Sequence, residues 1–130
     1  MSSVHELRLV LTVADFDAAL AFYRDALGLE QGPAWESSGG RIAILEAGRA
    51  TVELVDEAQA RAIDEIEVGA RVAGPIRLAF EVDDSESTAL KLVEAGGEQL
   101  AEPVVTPWRD RNVRVAAPDG LQLTLFTAED

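Results

Sequence analysis

Cysteine is absent from this chain, histidine and tyrosine occur once each, and the only methionine is Met1. The lack of cysteine removes disulfides, thiolate nucleophiles and thiolate-ligated zinc or iron–sulfur centres together. No apolar run approaches the roughly 20 residues that span a bilayer, so no membrane partner is expected. The opening MSSVHELRL lacks a basic segment followed by an apolar one, so it does not read as a secretory signal and a cytoplasmic location is the expectation. Positive charge is scarce as well: 11 Lys and Arg against 24 Asp and Glu leave a formal charge of −13. Such a surface repels a polyanion, which excludes nucleic acid as the expected partner. Neither a G-x-S-x-G elbow nor a Gly-Lys-Ser/Thr phosphate loop occurs.

What is present is an ordinary globular composition, 48% hydrophobic over 130 residues, enough for one core and one domain. Its organising feature is a repeat. Leu7–Val13 alternates apolar and other residues at period two, which predicts a strand with its leucine face on a core. Asp15 follows as an N-cap, and Ala19, Phe22, Tyr23 and Leu27 recur at helical spacing as one buried stripe ending at Gly28. The same order returns after Pro75: Ile76, Leu78, Phe80 and Val82 alternate with Arg77, Ala79 and Glu81. Asp84 or Ser85 then caps a helix carrying Leu90 and Val93 and stopping at Gly96-Gly97. Setting Val13-Ala14-Asp15 over Val82-Asp83-Asp84 gives an offset of 69 residues, which also superposes Arg8 on Arg77.

The remaining segments complete each half. Residues 29–38 predict a short, irregular strand, and Arg41–Leu45 with Ala50–Val55 a hairpin around Ala47-Gly48-Arg49. Gln99–Val105, Asn112–Ala117 and Leu121–Phe126 are three more strand candidates, the last two joined by a tight turn at Pro118-Asp119-Gly120. Asp56–Gly74 is a polar connector whose first half can form a short acidic helix. Each half is therefore strand, helix, three strands, with one sheet face left uncovered. Two such half-sheets curving together give an α+β fold: a mixed-sheet cup with helices on its outer face. The boundaries fall at about 5–56 for the first module, 57–74 for the connector and 75–128 for the second. Parity places Arg8, Val10, Thr12, Glu53, Arg77, Ala79, Glu81, Gln122, Thr124 and Phe126 on the inner face.

These residues resemble the vicinal-oxygen-chelate superfamily, which includes glyoxalase I, extradiol dioxygenases and the fosfomycin and bleomycin resistance proteins. The resemblance lies in Val13-Ala14-Asp15, Ala19-Leu20-Ala21-Phe22-Tyr23 and Leu27-Gly28-Leu29. In the second half it lies in Leu78-Ala79-Phe80-Glu81-Val82-Asp83, Ala95-Gly96-Gly97, Pro107-Trp108 and Ala117-Pro118-Asp119-Gly120, so it covers nearly the whole chain. It implies paired βαβββ modules, a small organic ligand in the cup and a homodimer. It also implies, for the enzymes, a divalent metal held by His or Glu/Gln on each module's first and last strands. Here those positions carry Arg8, Glu53, Arg77 and Thr124. A guanidinium stays protonated and has no acceptor to offer a cation. No cofactor is therefore expected: the resemblance points to a metal-independent small-molecule-binding protein, and a divalent-metal-dependent, glyoxalase-like lyase or dioxygenase with a degenerate metal site is the disfavoured alternative. His5 falls on the opposite face of the first strand by parity.

Two readings of the arginine pair stand side by side. In one, Arg8 and Arg77 face a shared anionic or carbonyl-rich ligand through bidentate hydrogen bonds. In the other they pair with Glu53 and Glu81 as an internal salt-bridge network. The candidate ligand-binding set is Arg8, Thr12, Glu53, Arg77, Glu81, Trp108, Thr124 and Phe126, with no catalytic residue named. Trp35 is a candidate aromatic wall or dimer contact. Arg109, Arg111 and Arg114 read as a solvated strand edge first and as an anion gate second.

Overall fold

The computed structural model describes residues 3–37 and 39–129, without the side chains of 33–37. The first module runs β1 (Val4–Thr12), α1 (Phe16–Leu20), a π-helical turn (Ala21–Ala26), β2 (Glu30–Ser37), β3 (Gly40–Ala47) and β4 (Ala50–Val55). The connector holds α2 (Glu57–Val68). The second module runs β5 (Ile76–Val82), α3 (Ser85–Glu94), β6 (Glu98–Gln99), β7 (Val104–Val105), β8 (Asp110–Ala116) and β9 (Gln122–Ala128). All strands belong to one open mixed sheet in the order β2-β3-β4-β1-β5-β9-β8-β6, with β7 also on β8. The α+β cup is therefore built within a single chain. One expected strand, 99–105, is broken into two short pieces around Ala101-Glu102-Pro103, where proline has no amide to give a ladder.

The repeat is visible in the register. β1 pairs β4 in parallel and β5 pairs β9 in parallel, while β1 and β5 meet antiparallel at the centre. There Leu9 faces Leu78, Arg8 faces Ala79 and Val10 faces Arg77. The separation of the first pair, 78 minus 9, equals the 69-residue offset read from sequence. A pseudo-dyad thus passes between Leu9 and Leu78, and it brings Arg8 and Arg77 to neighbouring strands on one face.

Apolar clusters form on both faces. Outside, Phe16 and Leu20 cover Ala43, Leu45 and Leu54, and Ala89 of α3 covers Val82, Val113, Val115 and Leu125. Inside, Val10, Ile42, Val55, Ala79 and Phe126 pack with Ala60 and Ile63 of α2. The connector is thus not a simple joiner: its helix lies across the inner face. Asp56 caps it by accepting from the Gln59 amide at 2.8 Å, and Gly69 ends it with a left-handed φ of 83°. As a result Val10, at 2% exposure, is better buried than Leu7 at 36%, reversing the expected weight of the two faces of β1.

The outer helices also depart from the expected stripes. Phe22 and Leu27 are 64% and 63% exposed, because the Leu27 amide bonds back five residues to Phe22 and the π turn shifts their phase. In α3, Ala89 and Leu92 face the core, leaving Leu90 and Val93 outside. Residues 30–37 form a full strand with an irregularity between Gln31 and Ala34, the site of Gly32-Pro33. The side chain of Trp35, in that strand, lies outside the described side chains. Arg114, expected on a solvated edge, is 1% exposed.

Candidate functional site

Inner-face parity and α2 together enclose a cavity of about 250 Å³. Its walls come from both modules: Arg8, Ile42, Glu53, Arg77, Ala79, Asn112, Thr124 and Phe126 from the sheet, with Trp108 and Asp110 beside them. Gln59, Ile63 and Glu67 of α2 close the third side. Six of the eight candidate residues therefore meet there: Arg8, Glu53, Arg77, Trp108, Thr124 and Phe126. Thr12 does not; it lies in a separate small void under Ala60, Asp64 and Arg71, because α2 crosses the sheet between them. Glu81 is also outside the lining, one register step beyond Ala79 opposite Phe126.

Arg8 does not chiefly pair with Glu53. Its Nε donates to Glu6 Oε2 at 2.8 Å and its Nη2 to Oε1 at 3.4 Å, while Glu53 Oε1 is 3.6 Å from Nη1. Glu6 shares the inner face of β1 by the same parity and also accepts from Thr51 Oγ1 at 2.7 Å. The Arg8 guanidinium lies 5.1 Å from the centre of the Phe126 ring, a cation–π contact. Burial opposes its charge, but Glu6 and Glu53 outweigh burial and hold its pKa above the ordinary value.

Arg77 differs. It is 7% exposed, and its Nη1 donates to Thr124 Oγ1 at 2.8 Å. The expected Arg77–Glu81 pair is absent: among the described residues Arg77 makes no ion pair. β5 places both residues on one face with Ala79 between them, four residues apart along the strand. Burial lowers the Arg77 pKa, against the pull of Glu67 and Glu53. Glu53 is 6% exposed, and burial pushes its pKa up more than Arg77 and Arg8 pull it down.

Behind the cavity stands a polar lock that sequence parity missed, since it depends on α2. Glu67 accepts from Asn112 Nδ2 at 2.9 Å, Arg114 Nε at 3.1 Å and Thr124 Oγ1 at 2.8 Å. Asp64 lies 3.0 Å from Arg114 Nη2 and accepts from the Val72 and Ala73 amides at 2.8 and 2.9 Å. That Arg114 nitrogen is close enough for attraction but poorly aligned for a hydrogen bond. The sequence signal was the acidic pattern Asp64-x-x-Glu67 on one helical face, opposite Arg114.

Trp108 stands at the mouth, 37% exposed, in the cavity lining with Asp110. It belongs to a turn closed by Thr106 N to Asp110 O at 2.8 Å, in which Arg109 adopts a left-handed φ of 72°. Burial raises the Asp110 pKa, partly offset by Arg8. His5 is on the outer face and bonds Asp83, away from the cavity.

The donor set at the four metal positions of the fold does not fit a divalent cation. Two are guanidiniums, one is a threonine hydroxyl already donating to Glu67, and only Glu53 offers a carboxyl. Among the described residues no three His, Cys, Asp or Glu side chains converge to hold a metal ion.

The Glyoxalase family model, described as Glyoxalase/Bleomycin resistance protein/Dioxygenase superfamily, matches residues 7–125. The chain belongs to this superfamily. It is 31% identical over 111 residues to the putative glyoxylase CFP32 of Mycobacterium bovis and Mycobacterium tuberculosis. That match takes in 80% of the chain but 36% of the relative, so the chain spans about a third of those proteins. Among solved structures it resembles hypothetical protein BH1468 from Bacillus halodurans, with a TM-score of 0.74 and 19% identity over 99% of this chain and 97% of that one. It also resembles methylmalonyl-CoA epimerase from Mycobacterium tuberculosis, with a TM-score of 0.71 and 23% identity over 100% and 92%. These two structures share the fold of this chain. Among the described residues no helix is long and apolar enough to cross a membrane.

Proposed function

We propose that this superfamily member binds a small organic molecule in its cup without a divalent metal at the four positions of the fold. The observation that carries the reading is the replacement of both first-strand ligand positions by Arg8 and Arg77, which line the cavity. Two guanidiniums repel a cation there, whereas they match an anionic or carbonyl group. Apolar side chains with a few convergent polar groups are the usual lining of a small-molecule site. The putative glyoxylase and the methylmalonyl-CoA epimerase are named as enzymes, but the donor set supports binding rather than metal-assisted chemistry for this chain.

Stoichiometric metal analysis of protein purified without an affinity tag tests this directly. The expected result is no bound transition metal. About one metal ion per chain, removed by Glu53→Ala, would overturn the reading.

A further inference from the structure

Among the arginines at and behind the cavity, Arg77 differs from Arg8, Arg71 and Arg114 in making no ion pair within the described residues. Arg8 is held by both Glu6 oxygens, and Arg114 by Asp64 and Glu67. Arg71 is held by Glu57 and Asp64. Arg77 lies between these pairs with a single hydrogen bond, to a neutral hydroxyl. Its Nε and Nη2 make no hydrogen bond within the described residues, and the side chain lines the cavity. Glu67 and Glu53 attract this buried cation only from beyond ion-pair distance, so an anion that reaches it replaces lost hydration with charge-assisted hydrogen bonds.

The other walls limit what that anion can be. Glu53, Glu67 and Asp110 share the cavity, so a second negative charge would meet carboxylates rather than another free cation. That disfavours a phosphate dianion and favours a monoanion. Ile42, Ile63, Ala79 and Phe126 form an apolar wall for the body of the ligand. At about 250 Å³ the cavity lies just below the roughly 300–1,000 Å³ of drug-sized sites, which points to a metabolite-sized guest. The net charge of −13 does not decide the ligand's sign, because a group inside the cavity is governed by its nearest partners.

We infer that the cup takes a small apolar monocarboxylic acid, its carboxylate seated on Arg77 and its body against Ile42, Ile63 and Phe126. This rests on the binding reading above and adds the chemical class and the seat.

Calorimetric titration of the full chain with benzoate, benzamide, benzylamine and phenyl phosphate separates the classes. Benzoate is expected to bind at least about tenfold more tightly than the other three, and Arg77→Met is expected to abolish that preference. The variant's melting temperature is expected to equal or exceed the wild type's, because an unmatched buried charge has been removed. Should Arg77→Met fail to fold, Arg77→Lys, which keeps the charge but loses the planar fork, is expected to reduce the preference. Benzoate affinity unchanged in the folded variant overturns the seat. Benzamide, benzylamine or phenyl phosphate binding as tightly as benzoate overturns the class and leaves the binding reading standing. No benzoate binding at millimolar concentration also overturns the class, whereas a stoichiometric metal overturns the binding reading itself.

Discussion

At the scale of single residues, Asp64 decides more than its place in a connector suggests. Burial works against its charge, yet the Ala73 and Val72 amides and the Arg114 cation outweigh it and hold the pKa below the ordinary aspartate value. A carboxylate with a depressed folded pKa stabilises the fold fully above its unfolded pKa, and that contribution is lost as pH falls toward the folded one. Asp64→Asn is therefore expected to destabilise the protein by about 3–5 kcal/mol at neutral pH, since it leaves Arg114 with one carboxylate fewer in a closed site. The wild-type advantage should shrink as the pH is lowered through the ordinary aspartate range. Urea unfolding of both proteins as a function of pH checks the magnitude and the sign; a constant difference across the acid range would contradict the linkage. Glu53 has the opposite sign, because burial raises its pKa, so it adds nothing to acid lability.

At the scale of elements, α2 turns an open cup into a cavity. It stays close to the sheet because Gly40 begins β3 without a side chain: a Cβ there would lie 2.3 Å from the Gln59 nitrogen and 2.6 Å from its Cα. Backbone cannot yield as a flexible side-chain tip can, so Gly40→Ala must push the first turn of the helix away. The expected cost is about 1–3 kcal/mol, the range for overpacking a close contact. Chemical denaturation measures that cost, and wild-type stability in the variant would show that α2 does not pack as closely as the structure indicates. The helix itself was partly legible: Asp56 and Gly69 are ordinary cap residues, and the acidic run suggested a helix. Its destination was not legible. Gln59, Ala60, Ile63, Asp64 and Glu67 are buried, and three of the five are polar, a pattern that reads as a solvated face until their partners on β8 and β9 are known.

At the scale of the whole molecule, the two modules share one sheet through the antiparallel β1–β5 pair, with the pseudo-dyad at Leu9 and Leu78. A chain with 24 acidic and 11 basic residues repels itself in the compact state. Raising the ionic strength from about 0.01 M to about 0.15 M shortens the screening length from roughly 30 Å to roughly 8 Å. The melting temperature in a non-binding salt is accordingly expected to rise over that interval, and a scan that falls instead would mean that ion pairs such as Arg111–Glu129 outweigh the general repulsion.

The sequence by itself determined the fold and the placement of the arginines. Period-two alternation names the inner face of a strand without knowledge of its neighbours, and the 69-residue repeat reappears in the register of β1 on β5. The same parity put Arg8, Glu53, Arg77, Thr124 and Phe126 on one wall of the cavity. Only the tertiary structure decided who partners whom. Glu6 holds Arg8 more closely than the expected partner Glu53 does, Thr124 rather than Glu81 meets Arg77, and α2 excludes Thr12 from the site. Alternation fixes the side of the sheet on which a charge stands. Its counter-charge comes from whatever segment folds over that side, and for Arg8 and Arg77 the outcome differs: one guanidinium is matched, and the other faces the cavity.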